Sequence, residues 1–253
     1  MRLRHALLAM LATLPVAAQQ LTAFGAEGGD FRATLSDGRT LRGADLVGAT
    51  LSVTQEGVPL TLRIDSAEAD ARHPDIWLFG LTATLPDGRQ VPYCEPDPDG
   101  RRLAIPYAEG SGFNLTCSGG AVGKCMRFGY RPWARTPDGS GPLAPYHAAC
   151  VNMVRGAYGG PERAWTRDGM RIDVYDRAGV QTPDNDPGDA FEAGWTAEGA
   201  VCVAHPRVPE NGGLAEIVAA APRLAGRTGR DACTEARAAE WGALVFNRSR
   251  PPG

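Results

Sequence analysis

Beyond its first twenty residues the chain has no apolar run long enough to cross a bilayer and no run of basic residues. The first absence argues against a helical membrane anchor in the body of the protein. The second, with a formal net charge of −3 at pH 7, argues against a nucleic-acid partner, because phosphate neutralisation needs clustered cations. Lysine is nearly missing: Lys124 is the only one, and every other cation is arginine. No Cys-x-x-Cys pair occurs, so the spacing of a zinc site is missing too. We expect no metal and no cofactor.

What is present at the start is a secretory leader pattern. Arg2, Arg4 and His5 precede an apolar run over residues 6–17 that is too short to span a membrane, and Val16-Ala17-Ala18 before Gln19 suits a signal peptidase. A signal peptide over residues 1–18 is expected, with the mature protein periplasmic or secreted and without a transmembrane anchor. All six cysteines, Cys94, Cys117, Cys125, Cys150, Cys202 and Cys233, lie beyond that site. An even count in an exported chain points to disulfides.

Glycine (32) and proline (20) are frequent, which favours strands and turns over long helices. Residues 19–110 read as a β-rich region. Asp37-Gly38 and Asp87-Gly88 sit between apolar runs as hairpin turns in which both positions would take positive φ. A further turn is expected at Glu56-Gly57, and residues 43–51 read as a strand pair. Residues 111–250 read as an α+β domain. Leu143, His147, Cys150, Val151, Val154 and Tyr158 recur at helical spacing up to Gly159-Gly160-Pro161. Met170, Ile172 and Val174 alternate with polar residues, placing Asp173 on the polar face of a strand. Residues 191–205 read as a hairpin, 214–221 as a short helix, and Asp231 as the cap of a last helix before a strand near 243–246. The fold class expected is α+β: a β-rich N-terminal region followed by a disulfide-stapled α+β domain.

Several segments carry a family resemblance. Cys117-Ser118-Gly119-Gly120-Ala121-Val122-Gly123-Lys124-Cys125 and Gly129-Tyr130-Arg131-Pro132-Trp133 resemble bacterial ADYC-domain proteins. So do His147-Ala148-Ala149-Cys150-Val151-Asn152-Met153-Val154-Arg155, the stretch from Thr166 to Asp176, Phe191-Glu192-Ala193-Gly194-Trp195, Gly199-Ala200-Val201-Cys202-Val203 and Leu244-Val245-Phe246-Asn247-Arg248-Ser249. The resemblance implies an exported, cysteine-rich protein and carries no catalytic residue across. The family's naming motif, Ala-Asp-Tyr-Cys, falls on Gly156-Ala157-Tyr158-Gly159 and keeps only the tyrosine. Relatives also carry a cysteine where this chain has Ala221. The resemblance therefore implies that positions 159 and 221 form a bridge in relatives and lie close together here, with Cα atoms within about 7 Å.

Sequence alone leaves fifteen cysteine pairings open. The arrangement we expect is Cys94–Cys117, Cys125–Cys150 and Cys202–Cys233, each stabilising by roughly 2–4 kcal/mol. Candidates for a polar site are Asp168, Asp173 and Asp176 with Arg155, Arg167, Tyr158 and His205. His147 and Cys150 share a helix face, which would suit a nucleophile and its base, but an oxidised sulfur cannot attack. The acidic run Asp184-Asn185-Asp186-Pro187-Gly188-Asp189 with Glu192 gathers oxygen ligands, yet its spacing fails the calcium-loop pattern. Trp133, Trp165 and Trp195 could line a sugar-binding face or fill the core. Two functions follow. The leading one is a non-enzymatic envelope or secreted binding module for a glycan or an envelope protein. The rival is a secreted hydrolase with a carboxylate/histidine site around Asp168, Asp173, His147 and His205.

Overall fold

The computed structural model describes residues 20–55, 58–110 and 112–251. The expected signal peptide and the Glu56-Gly57 turn lie outside the described residues. Strands β1 (Leu21–Glu27), β2 (Asp30–Leu35) and β3 (Thr40–Arg42) form an antiparallel three-stranded sheet. Next come β4 (Thr50–Gln55), β5 (Val58–Ala69), β6 (Trp77–Thr84), β7 (Gln90–Pro92), β8 (Leu103–Glu109) and β9 (Gly112–Cys117). They form a second sheet in the order β4-β5-β6-β8-β9, with β7 also paired to β6. The two sheets meet where Trp77 N–H bonds the Gly29 carbonyl at 2.8 Å. They share a core of Leu62, Ile64 and four phenylalanines, Phe24, Phe31, Phe79 and Phe113, whose ring centroids lie 4.9–5.6 Å apart.

Both Asp-Gly dipeptides turn hairpins, but with three-residue loops. Leu35 N–H bonds the Arg39 carbonyl and Gly38 N–H the Leu35 carbonyl, each at 2.9 Å, and Leu85, Gly88 and Arg89 repeat the pattern. Only the glycines take positive φ, +85° and +83°. The aspartates keep ordinary φ and accept the N–H of the following arginine at 3.0 Å. This is a type I turn closed by a left-handed glycine. Residues 43–51 differ as well: Gly43–Leu46 is a 3-10 turn. The Asp30 carboxylate accepts the Gly43 N–H at 3.1 Å and Leu46 is buried beneath it.

The second half contains α1 (Ala121–Arg127), α2 (Ala144–Arg155), β10 (Asp173–Asp176), β11 (Ala190–Thr196), β12 (Gly199–Val203), α3 (Leu214–Ala220), α4 (Glu235–Glu240) and β13 (Val245–Ser249). Its sheet is antiparallel in the order β10-β13-β11-β12. Helix α2 ends earlier than its apolar spacing suggests, at Gly156 with φ +58°, a left-handed cap. Tyr158 thus leaves the helix and stacks on Trp195 with centroids 5.3 Å apart. Helix α4 is capped by the Thr234 side chain, which accepts Arg237 N–H at 3.3 Å, rather than by Asp231.

This sheet is covered on both faces. Met153, Tyr158, Trp195 and Val203 form the core toward α2, whereas Tyr175, Phe246 and Ala238 form one toward α4. The alternation along β10 is consequently the reverse of the expected one. Asp173 and Tyr175 are buried, and Ile172 and Val174 are half-buried. Asp173 accepts the Asp184 N–H at 3.0 Å through Oδ1, whereas its buried Oδ2 has no hydrogen-bond partner among the described residues.

The six cysteines pair as Cys94–Cys117, Cys125–Cys150 and Cys202–Cys233, with Cα separations of 5.6, 5.8 and 5.5 Å. They tie β9 to the loop after β7, α1 to α2, and β12 to the turn before α4. The large sheet meets α1 through Ile76, Leu78, Ile105 and Met126. Ion pairs rim this contact: Arg127–Asp70 at 2.8 Å and Arg131–Asp75 at 2.6 Å, with Trp133 Nε1 donating to Asp75 at 2.9 Å.

Candidate functional site

Three chain segments converge beside α1. The disulfide Cys125–Cys150 locks α1 against α2, so Lys124, halfway along α1, faces the last turn of α2 with Met153, Val154 and Arg155. The chain leaves α2 at Gly156 and returns at Trp165, whose N–H bonds the Arg155 carbonyl at 3.2 Å. That bond carries Thr166, Arg167 and Asp168 past the helix end, after which Ile172 and Val174 enter the sheet. Between them lies a cleft of about 370 Å³. Its floor is apolar, with Phe128, Met153, Ile172 and Val174. Its rim carries Lys124, Arg155, Arg167 and one acid, Asp168. A more open hollow of about 640 Å³ lies on the other side of Lys124 and Phe128, toward Arg72 and the Asp70–Arg127 pair. Burial works against ionisation of Asp70, but Arg127 and the N–H groups of Arg72 and His73 outweigh it and hold the carboxyl below the usual carboxylate range.

The rim cations are unusual in this chain. Among the described residues, Lys124, Arg155 and Arg167 have no side-chain hydrogen bond, ion pair or ring contact, a state shared only by Arg72 and Arg230. Every other basic side chain among them is engaged by a carboxylate, a carbonyl or an aromatic ring, as with Arg42–Asp30, Arg237–Asp231 carbonyl and Arg227 over Trp241. Four of the five unengaged cations therefore face the cleft or the hollow next to it.

The residues singled out from sequence divide. Arg155, Arg167 and Asp168 come together on the cleft. His147 is half-buried between α2 and α1, its Nε2 3.3 Å from the Val122 carbonyl, and burial holds its pKa below that of a free histidine. His205 is buried with Nε2 3.5 Å from the Ala190 carbonyl. Asp173 holds the Asp184 N–H, while Asp176 accepts the Tyr130 hydroxyl at 2.7 Å and three backbone N–H groups of its turn. Among the described residues no hydrogen bond or ion pair joins any two of His147, Asp168, Asp173 and His205. The acidic run is neutralised locally: Asp186 binds Arg171, and Arg250 lies 3.8 Å from Asp186 and 3.9 Å from Asp189. Among the described residues no group of three or more histidine, cysteine, aspartate or glutamate side chains is arranged to hold a metal ion. Trp165 and Trp195 are buried in the core; Trp133 is half-buried against Gly28 and Gly29.

A family model described as the ADYC domain matches residues 43–209, more than half of the chain. The chain belongs to the ADYC-domain family. No curated protein and no solved structure matches it. The ADYC match begins at the 3-10 turn of the N-terminal region and ends beyond β12, so it takes in strands of both regions and every segment that lines the cleft.

At the centre of the ADYC domain is a charged pair that sequence reasoning missed. Glu192 and Arg207 have fully buried side chains. Arg207 donates to Glu192 through Nε at 2.9 Å and Nη2 at 2.7 Å. Tyr158 donates to Glu192 at 2.9 Å, Asn247 donates at 2.8 Å, and Trp195 Nε1 donates to Asn247 at 2.7 Å. Burial opposes the Glu192 charge, but Arg207 and these donors prevail and hold its pKa below the usual value. Burial and the neighbouring Glu192 charge push the Tyr158 hydroxyl far above its ordinary pKa, so it stays protonated, donating to Glu192 and accepting the Arg207 N–H at 3.1 Å. The tyrosine kept from the naming motif is thus a structural member of this network. The motif's cysteine position behaves as the resemblance implies: a Cβ built on Gly159 falls 3.2 Å from the Ala221 Cβ.

Proposed function

We propose that this ADYC-domain protein is an exported, non-enzymatic binding module of the bacterial envelope or the extracellular space, and that the cleft between α1, α2 and residues 166–174 is its ligand site. The observation that carries the reading is the contrast between the two groups of candidates. The histidines and Asp173 are each held by a backbone group of their own, whereas Lys124, Arg155, Arg167 and Asp168 stand unengaged around one cavity. A hydrolytic site needs its acid, base and nucleophile within hydrogen-bond reach of one reacting atom. With all six sulfurs in disulfides no thiol nucleophile is left. Three disulfides and a leader-like start support an oxidising compartment. Among the described residues no helix is long and apolar enough to cross a membrane.

The test is fragment mapping on the mature, disulfide-intact protein by amide NMR, using neutral, anionic and cationic small molecules, beside assays with chromogenic ester, amide, phosphoester and glycoside substrates. The reading expects shift changes gathered on residues 119–128, 153–155 and 166–174, and no turnover. Turnover that disappears in His147→Ala or Asp168→Asn would overturn it in favour of the hydrolase. So would a complete absence of shift changes at the cleft.

A further inference from the structure

We infer that the cleft takes a small anionic amphiphile: a single carboxylate or phosphate head held by Lys124, Arg155 and Arg167, with an apolar body laid on Phe128, Ile172 and Val174. The inference rests on the cleft being the ligand site. Three unneutralised cations around one half-enclosed space repel one another, and an anion placed among them removes that cost while gaining charge-assisted hydrogen bonds. The guanidinium groups of Arg155 and Arg167 suit the planar, forked recognition of a carboxylate or a phosphate, and Lys124 adds a point charge on the same cleft. The protein as a whole is acidic, with formal net charge −3, and binds nearly all its other cations internally. Positive charge left free at one cleft is therefore a local feature and not a general basicity.

The floor sets the rest of the ligand. The half-buried Phe128, Ile172 and Val174 side chains offer no hydrogen bond, so a purely polar anion would leave them wet. The cavity of about 370 Å³ suits a small molecule and not a folded partner. Asp168 on the same rim disfavours a second negative charge next to the head.

Calorimetry and amide NMR on the mature protein with octanoate, octyl phosphate, 1-octanol and octyltrimethylammonium test this. Saturable binding of octanoate or octyl phosphate is expected, weakening as salt is raised. Which of the two binds more tightly tells carboxylate from phosphate as the source of the head. Hexanoate should bind about fourfold or more weakly per CH₂ removed. Lys124→Met, Arg155→Met and Arg167→Met should each weaken binding at least about tenfold. These substitutions remove no side-chain partner, so the fold stays intact. Arg230→Met, which removes an unengaged cation elsewhere, should change nothing. If 1-octanol or the cation binds as tightly, or if the three cleft variants bind like the parent, the ligand class is wrong. Neutral fragments mapping to the cleft while both anions fail would reject the class but leave the site standing. Silence of the cleft toward every probe would reject both.

Discussion

Installing cysteines at positions 159 and 221 should create a fourth disulfide. A Cβ on Gly159 lies 3.2 Å from the Ala221 Cβ, slightly closer than the usual 3.5–4.5 Å of a bridged pair. The backbone must therefore open by a few tenths of an ångström. Gly159 is not among the positive-φ glycines, so a side chain there meets no left-handed strain. The new bridge joins positions at a sequence separation of 62, from 159 to 221, between the cases of about 3 kcal/mol for a short loop and about 4.7 kcal/mol for a 100-residue one. An increment of about 4 kcal/mol follows, less whatever the short Cβ separation costs. For a chain of this size that is roughly 8–16 °C in melting temperature. The assay is thiol titration of denatured Gly159→Cys/Ala221→Cys protein under non-reducing conditions, then urea unfolding against the parent and each single variant. No free thiols and a raised midpoint are expected. Two free thiols in a protein whose other three bridges have formed would refute the geometry, and a lowered midpoint would refute the energetic argument.

Four other outcomes follow from buried charge and from the contact between the sheets and α1. Arg207→Met leaves Glu192 buried without its cation and should cost about 3–5 kcal/mol in urea unfolding; a loss below about 1 kcal/mol would contradict the role of the pair. Because the native pKa of Glu192 is depressed, its stabilisation is present above its unfolded value near 4.5 and is lost as pH falls through the lower native value. Glu192→Gln should remove that component from the acid limb of the stability curve. His147 has a native pKa below 6.5, so the unfolded chain takes up its proton first and stability falls as pH drops below about 6.5. His147→Phe should flatten that part of the curve, as denaturant midpoints between pH 7.5 and 5 would show. Asp75→Ala deprives Arg131 and Trp133 of their shared acceptor and should cost about 1–3 kcal/mol; amide exchange should quicken at residues 28–29 and 131–133.

What the sequence disclosed was mostly local. The two Asp-Gly hairpins, the helix carrying His147 and Cys150, and the β11–β12 hairpin are each set by residues a few places apart. The turn type was misjudged because only glycine takes positive φ while aspartate caps its neighbour. The end of α2 was misjudged because apolar spacing continues through Tyr158 after Gly156 has already turned the chain. Alternation failed in β10 because helices cover both faces of the sheet, so position along a strand no longer marks exposure. Glu192 read only as an oxygen ligand beside the acidic run, though its side chain is buried against Arg207. At the cleft, Arg155, Arg167 and Asp168 were noticed, but nothing in their order separates them from Asp173, Asp176 and His205. Lys124 stood out only as the sole lysine. Their meeting depends on the Cys125–Cys150 bridge and the Trp165–Arg155 backbone bond, contacts invisible to periodicity.

A crystal structure of the mature protein grown with octanoate tests the central claim most directly. The account predicts density in the cleft beside α1, with the carboxylate within about 3 Å of Lys124 Nζ or an Arg155 or Arg167 nitrogen and the alkyl chain on Phe128 and Ile172. An empty cleft with octanoate bound elsewhere, or the three cations paired to carboxylates of the protein itself, would contradict it.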